Sequence, residues 1–121
     1  MTDPRHTLKE LRRAGVLDAV DAHVALRLSR RAGVTNPDVV IALALAVRAP
    51  RHGHECIDLL EAQVSAMRPP EAEGEAPALP PDRDQWISDV AQVDIVQTSG
   101  AAGSRPFYLA GSKLYTDRYW R

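Results

Sequence analysis

Cys56 is the only cysteine in the 121 residues. No disulfide can form within the chain, so a reducing compartment is permitted. Lysine is almost absent: Lys9 and Lys113 are the two, and every other cation is arginine. That removes most lysine chemistry from consideration. Long apolar runs are missing as well. The longest, residues 39–47, falls well short of the roughly 20 residues that cross a bilayer. With no leader pattern at the start, the expectation is a cytoplasmic protein without a membrane partner. A basic excess is also lacking, since the net charge is −1. A surface built mainly for nucleic acid or anionic lipid carries more cations than that.

What is present suits one modest core. Hydrophobic residues make up 45% of the sequence, enough for a single domain over residues 1–121. Asp3 and Pro4 open a first helix, Leu8 and Leu11 give it a stripe, and Gly15 stops it. A second helix starts near Leu17 or Asp18 and runs to about Ala32. In it Val20, Val24 and Leu28 fall four apart on one face. Asn36-Pro37-Asp38 opens a third helix. It is apolar nearly all round from Val39 to Val47, hence central, and Pro50 and Gly53 end it. The stretch from His54 to Met67 is ambiguous: Ile57, Leu60 and Val64 suit a helix, but His54 to Leu59 also fits an extended segment.

Composition then shifts. Residues 68–84 carry five prolines and several acids, which reads as an exposed, mobile loop inside the domain. Trp86, Val90, Val93 and Ile95 mark a further helix from about Asp84 to Gln97. Ser99 to Ser104 is a small-residue loop. The period changes at the end, where Phe107-Tyr108-Leu109 and Leu114-Tyr115-Thr116 flank Gly111-Ser112. That pair is a hairpin signal, because glycine supplies the positive φ of the first turn position. The register then sets Leu109 against Leu114 and Tyr108 against Tyr115. The expected fold is mainly α: a small helical bundle of four to five helices with a C-terminal β-hairpin. Tyr119-Trp120-Arg121 follows at once, and an aromatic end suggests a cut through a longer protein.

Candidate chemistry is thin. His52, His54 and Cys56 form H-x-H-x-C, but a metal needs three or four converging ligands, and only His6 and His23 remain to help. No metal site is expected; His54 bonds a backbone group and Cys56 packs as a small hydrophobe. His54-Glu55 lacks the H-x-E spacing and later C-x-x-C of zinc deaminases. Asp21 and His23 diverge by about 200° on a helix, so they form no acid–base pair; His23 reads as a histidine at a helix–helix seam. No nucleophile elbow or phosphate loop exists, and Gly100 to Gly103 precedes a strand rather than a helix. No catalytic residue and no cofactor site are expected. Arg27, Arg30 and Arg31, with Arg12 and Arg13 near in sequence, form a cluster that suits a helix end or phosphates. Tyr108, Tyr115, Trp120 and Phe107 suit either core or a protein interface. An alternative from this cluster is a free-standing helical DNA-binding protein.

Three segments carry a family resemblance. Residues 17–25 (LDAVDAHVA) resemble an L-x-x-x-D-x-H-x-A helix centred on Asp21 and His23. Residues 53–59 (GHECIDL) are similar to a G-H-x-C-[apolar]-x-L stretch holding Gly53, His54 and Cys56, with Glu55 standing where an apolar residue is expected. Residues 106–120 (PFYLAGSKLYTDRYW) look like a closing hairpin that turns at Gly111. In this order they resemble the N-terminal domain of RecD, the alpha subunit of the exodeoxyribonuclease V (RecBCD) helicase–nuclease. The Pro-rich segment has no counterpart. The resemblance implies a non-catalytic domain that docks on a RecC-like subunit, with a RecB-like subunit in the same complex, in double-strand-break repair and recombination. It implies that His54 to Leu59 is extended and that Asp117 to Arg121 begins a helix. It also implies a 5′→3′ DNA helicase as parent, with motor domains, ATP and Mg beyond residue 121, and DNA contacted mainly through the parent complex. The partner-facing residues expected from this and from the clusters are Arg27, Arg30, Arg31, Tyr108, Tyr115 and Trp120.

Overall fold

A computed structural model describes residues 4–72, 74–98 and 105–116. Its elements, in chain order, are α1 (Pro4–Arg13), α2 (Ala19–Arg31), α3 (Pro37–Arg51), β1 (Cys56–Asp58), α4 (Val64–Met67), α5 (Arg83–Ala91), β2 (Val96–Gln97), β3 (Phe107–Ala110) and β4 (Lys113–Thr116). Helix takes about 48% of the described residues, so the mainly α expectation holds. The expected readings of Asp3, of residues 99–104 and of residues 117–121 lie outside the described residues.

The first three helices end alike. Gly15, Gly33 and Gly53 have positive φ. The amide just after each glycine reaches five residues back: Val16 to Leu11 O at 3.0 Å, Val34 to Ser29 O at 2.8 Å, His54 to Ala49 O at 3.0 Å. This motif satisfies carbonyls that a helix end would otherwise leave unpaired. At Gly15 the fit is also tight, since an added Cβ would lie 2.7 Å from Pro69 Cδ.

α3 is the hub. Asn36 caps it, its Oδ1 accepting the Asp38 N–H at 3.0 Å, and Pro37 fills the first turn where no amide is needed. Every residue from Val39 to Ala46 is buried. The helix packs against α1, α2, α5, β1 and β4. Each large aliphatic so enclosed gains about 1.5–3 kcal/mol from leaving water. The helix runs through Pro50 to Arg51, one residue beyond the expected stop.

The buried face of α2 differs from the valine stripe expected. Asp21, Ala22, Ala25 and Ser29 face inward, while Val20 is 46% exposed. Two alanines and a serine let α2 lie close on α3. The inward aspartate is tolerated because a distant arginine meets it.

The hairpin is not alone. β3 and β4 pair antiparallel with Tyr108 opposite Tyr115 and Leu109 opposite Leu114, as the Gly-Ser turn implies; Gly111 has φ +62°. They form the middle of a four-stranded sheet ordered β1-β4-β3-β2. β1 pairs antiparallel with β4, Ile57 opposite Leu114, so the segment after α3 is extended as the resemblance implies. β2 pairs parallel with β3, Val96 opposite Phe107. The helix expected to reach Gln97 therefore ends at Ala91; pairing with Phe107 overrides the local apolar period there. Among its described residues the Pro-rich segment forms no helix or strand until α5, but it is not wholly exposed. Leu79 is buried, and Pro69 packs on Gly15.

Candidate functional site

Asp21 and Arg48 are buried charged groups, and each is bonded near where α2 meets α3. Asp21 has no exposed surface. Its Oδ2 accepts the Asp18 N–H at 2.9 Å, and its Oδ1 accepts Arg51 Nη1 at 3.0 Å. The first bond closes the α2 N-terminus, with the third helical residue reaching back to the cap. The second ties that end to the last residue of α3. Arg51 also pairs with Asp18 Oδ2 at 3.2 Å, and is 44% exposed. Arg48, one turn earlier, is buried: its Nε donates to Val16 O at 2.7 Å and its Nη2 to Met67 O at 3.5 Å. Desolvation pushes its pKa down, opposed by the negative charges of Asp21 and Asp18. A buried cation with acceptors on both sides is a brace between the α1–α2 connection and α4. Asp21 of the D-x-H pattern is thus a structural clamp.

His23, two residues on, points the other way and is exposed. This corrects its expected place at a helix seam, because the seam belongs to the small-residue face. His23, Leu26, Arg27, Arg30 and Arg31 line an open groove on the outer side of α2. All four polar members are exposed, and Leu26 is half-buried. Arg12 and Arg13 belong elsewhere, to a groove shared with Lys9, Leu17, Asp18 and Ala19. There Arg13 pairs loosely with Glu10 at 3.6 Å.

The H-x-H-x-C residues do not converge. His52 caps α3, His54 is exposed, and Cys56 begins β1. Only Cys56 and not the histidines lies on the strand, so the shared strand face that alternation would give does not form. Among the described residues no three His, Cys, Asp or Glu side chains come together to hold a metal ion. Gly53 supplies the positive φ after α3, and Glu55 is exposed where an apolar residue was expected. Cys56 faces Tyr115 across the strands. Burial first, then the neighbouring Cys56 and Glu55, push the Tyr115 hydroxyl pKa up. Tyr108 is buried, while Tyr115 is half-buried. Trp120 lies outside the described residues.

Sequence reasoning missed Arg48, Arg51 and Trp86 as braces. Trp86 Nε1 donates to Asp38 O at 2.7 Å, and Arg83 sits 5.4 Å over its ring while donating to Leu59 O at 2.9 Å. The available signal was two arginines in the last turns of an otherwise apolar helix, since a cation there demands acceptors. Among the described residues no helix is long and apolar enough to cross a membrane.

The chain matches the model of the family described as RecBCD enzyme subunit RecD, N-terminal domain, over residues 13–115. A protein of Mycolicibacterium smegmatis named RecBCD enzyme subunit RecD is 39% identical over 88% of this chain. A protein of the same name from Mycobacterium tuberculosis is 36% identical over 94% of it. These alignments cover 17% and 18% of the two relatives, so the chain spans less than a fifth of their length. No solved structure matches it.

Proposed function

The chain belongs to the family of RecD N-terminal domains, and on that premise we propose that it is a non-catalytic docking domain. It joins a RecD-like 5′→3′ DNA helicase subunit to a RecC-like subunit, within a complex that also holds a RecB-like subunit and serves double-strand-break repair and recombination. Nucleotide hydrolysis, with its ATP and Mg, belongs to motor domains elsewhere in the parent protein. The observation that carries this reading is the family match over residues 13–115. It takes in every helix except most of α1, and the whole sheet up to Tyr115, so the match is to a folded unit and not to a short motif. The relatives are named as subunits, which supports a role in assembly.

The test is direct. The purified chain is mixed with the RecC-like subunit of the same genome and passed over a sizing column, and a co-eluting complex is expected. Absence of binding at tens of micromolar, a weak level for a specific interface, overturns the docking role. A chain that ignores that subunit but binds duplex DNA with steep salt dependence is instead the free-standing DNA binder that the arginine cluster allows.

A further inference from the structure

We propose that the outer face of α2, built by His23, Leu26, Arg27 and Arg30, is the docking surface, and that it receives an acidic, partly apolar surface of the protein partner. The proposal rests on the docking reading above and names the face and the chemistry that reading leaves open.

The charge pattern carries it. The acids of α2 and its cap are Asp18 and Asp21, both at its start, and Arg51 holds both. From His23 to Arg31 the helix has no carboxylate. Among the described residues Arg27, Arg30 and Arg31 make no ion pair. Arg30 and Arg31 in the last turn are favoured by the helix dipole. Arg27 sits a turn earlier, where that effect has faded. It is placed four residues from Arg31 and three from Arg30, and like charges at those spacings repel. Without a counterion the helix bears that repulsion; an acidic partner removes it. The other cationic groove already contains Asp18, with Glu10 paired to Arg13, so it asks less of a partner.

The partner is a protein surface rather than nucleic acid because the groove is mixed. Leu26 lies among the arginines, and on the same helix Val20 is 46% exposed. Arginine beside apolar surface is the make-up of a protein interface core. The chain's net charge of −1 gives no long-range pull on a polyanion.

The experiment measures binding of the RecC-like subunit to the chain and to three variants by titration calorimetry. Arg27→Glu/Arg30→Glu should weaken binding by about tenfold to a hundredfold, as reversing two interfacial charges does. Leu26→Ala should weaken it as well. Lys9→Glu/Arg12→Glu, on the other groove, should leave it within about threefold. Thermal melts by circular dichroism check that each variant is folded. If the parent chain binds and Arg27→Glu/Arg30→Glu binds equally well, docking stands and this face is overturned. If the parent chain does not bind at all, the docking reading itself fails and takes the face with it. If the reversal abolishes binding to a short DNA duplex and leaves binding to the subunit intact, the face is for phosphates and the proposal is overturned.

Discussion

Replacing Asp21 by alanine removes both acceptors of the α2–α3 clamp. Hydrogen bonds to charged groups contribute about 1.5–3 kcal/mol each, so two lost bonds set a ceiling of about 3–6 kcal/mol. The Arg51 bond falls at the low end, because Arg51 is 44% exposed and keeps Asp18 Oδ2 at 3.2 Å. The Asp18 N–H, part-buried at the start of α2, loses a stronger bond. The expected net cost is about 2–4 kcal/mol, a large share of the 5–15 kcal/mol that holds an ordinary domain together. Asp21→Asn keeps one acceptor and turns a donor toward the other partner, so about 1–2 kcal/mol is expected. Arg51→Met leaves a carboxylate with no exposed surface and one backbone donor. The pair Asp21→Asn and Arg51→Met, taken singly and together, forms a double-mutant cycle. Urea unfolding followed by far-UV circular dichroism should return a coupling of at least about 1 kcal/mol. A coupling near zero would refute the reasoning, because the buried carboxylate would then owe nothing to Arg51.

Other perturbations follow the same logic. Trp86→Phe removes the indole N–H from Asp38 O and should cost about 1–3 kcal/mol; an unchanged urea midpoint would mean that bond is absent in solution. Gly15→Ala combines a φ of +80° with a Cβ 2.7 Å from Pro69 Cδ, so a loss of at least about 1 kcal/mol is expected, read as a lower melting temperature. Ser29 Oγ is buried with no hydrogen-bond partner among the described residues, so Ser29→Ala should be neutral or raise stability by up to about 1 kcal/mol; a clear loss would overturn that reading. Partial desolvation, and then repulsion from Asp89, push the Asp38 carboxyl pKa up. Its protonated form suits the fold better, so that contribution is present below the unfolded value of about 3.9 and is lost as pH rises through the folded value. Asp38→Asn should therefore melt higher than the parent at neutral pH, with the gap closing as pH falls into the carboxylate range.

Local signals in the sequence were reliable where the chain folds on itself. Asn36 ahead of Pro37, glycines after each long helix and the Gly111-Ser112 turn each fix geometry within a few residues, and the helices and hairpin register appear where those signals lie. What failed was non-local. The valine stripe of α2 is a fair amphipathic signal, but the inward face was decided by Arg51, thirty positions from Asp21. Val96 and Gln97 have a helical neighbourhood in sequence and a strand neighbour, Phe107 and Tyr108, in space. The sheet order also could not be read from periodicity, since β1 is a three-residue strand whose partner lies at the far end of the chain. For the candidate site, the arginine cluster was visible as composition. Its status as an unbalanced face became visible only when Asp18 and Asp21 were seen to be taken.

The strand order has a consequence for how the chain is made. Helices α1 to α3 and the Asp21–Arg51 clamp precede β1 in the chain and leave the ribosome ahead of it. β1 emerges directly afterwards with one hydrogen-bonding edge meant for β4, and β4 is among the last described segments to be synthesised. While residues 59–112 are being made, that edge lacks its mate and the side of α3 that packs on β4 lacks that cover. The nascent chain is thus exposed to mispairing until the hairpin arrives, and slowing synthesis across residues 60–106 should lengthen that exposure and lower the yield of soluble product.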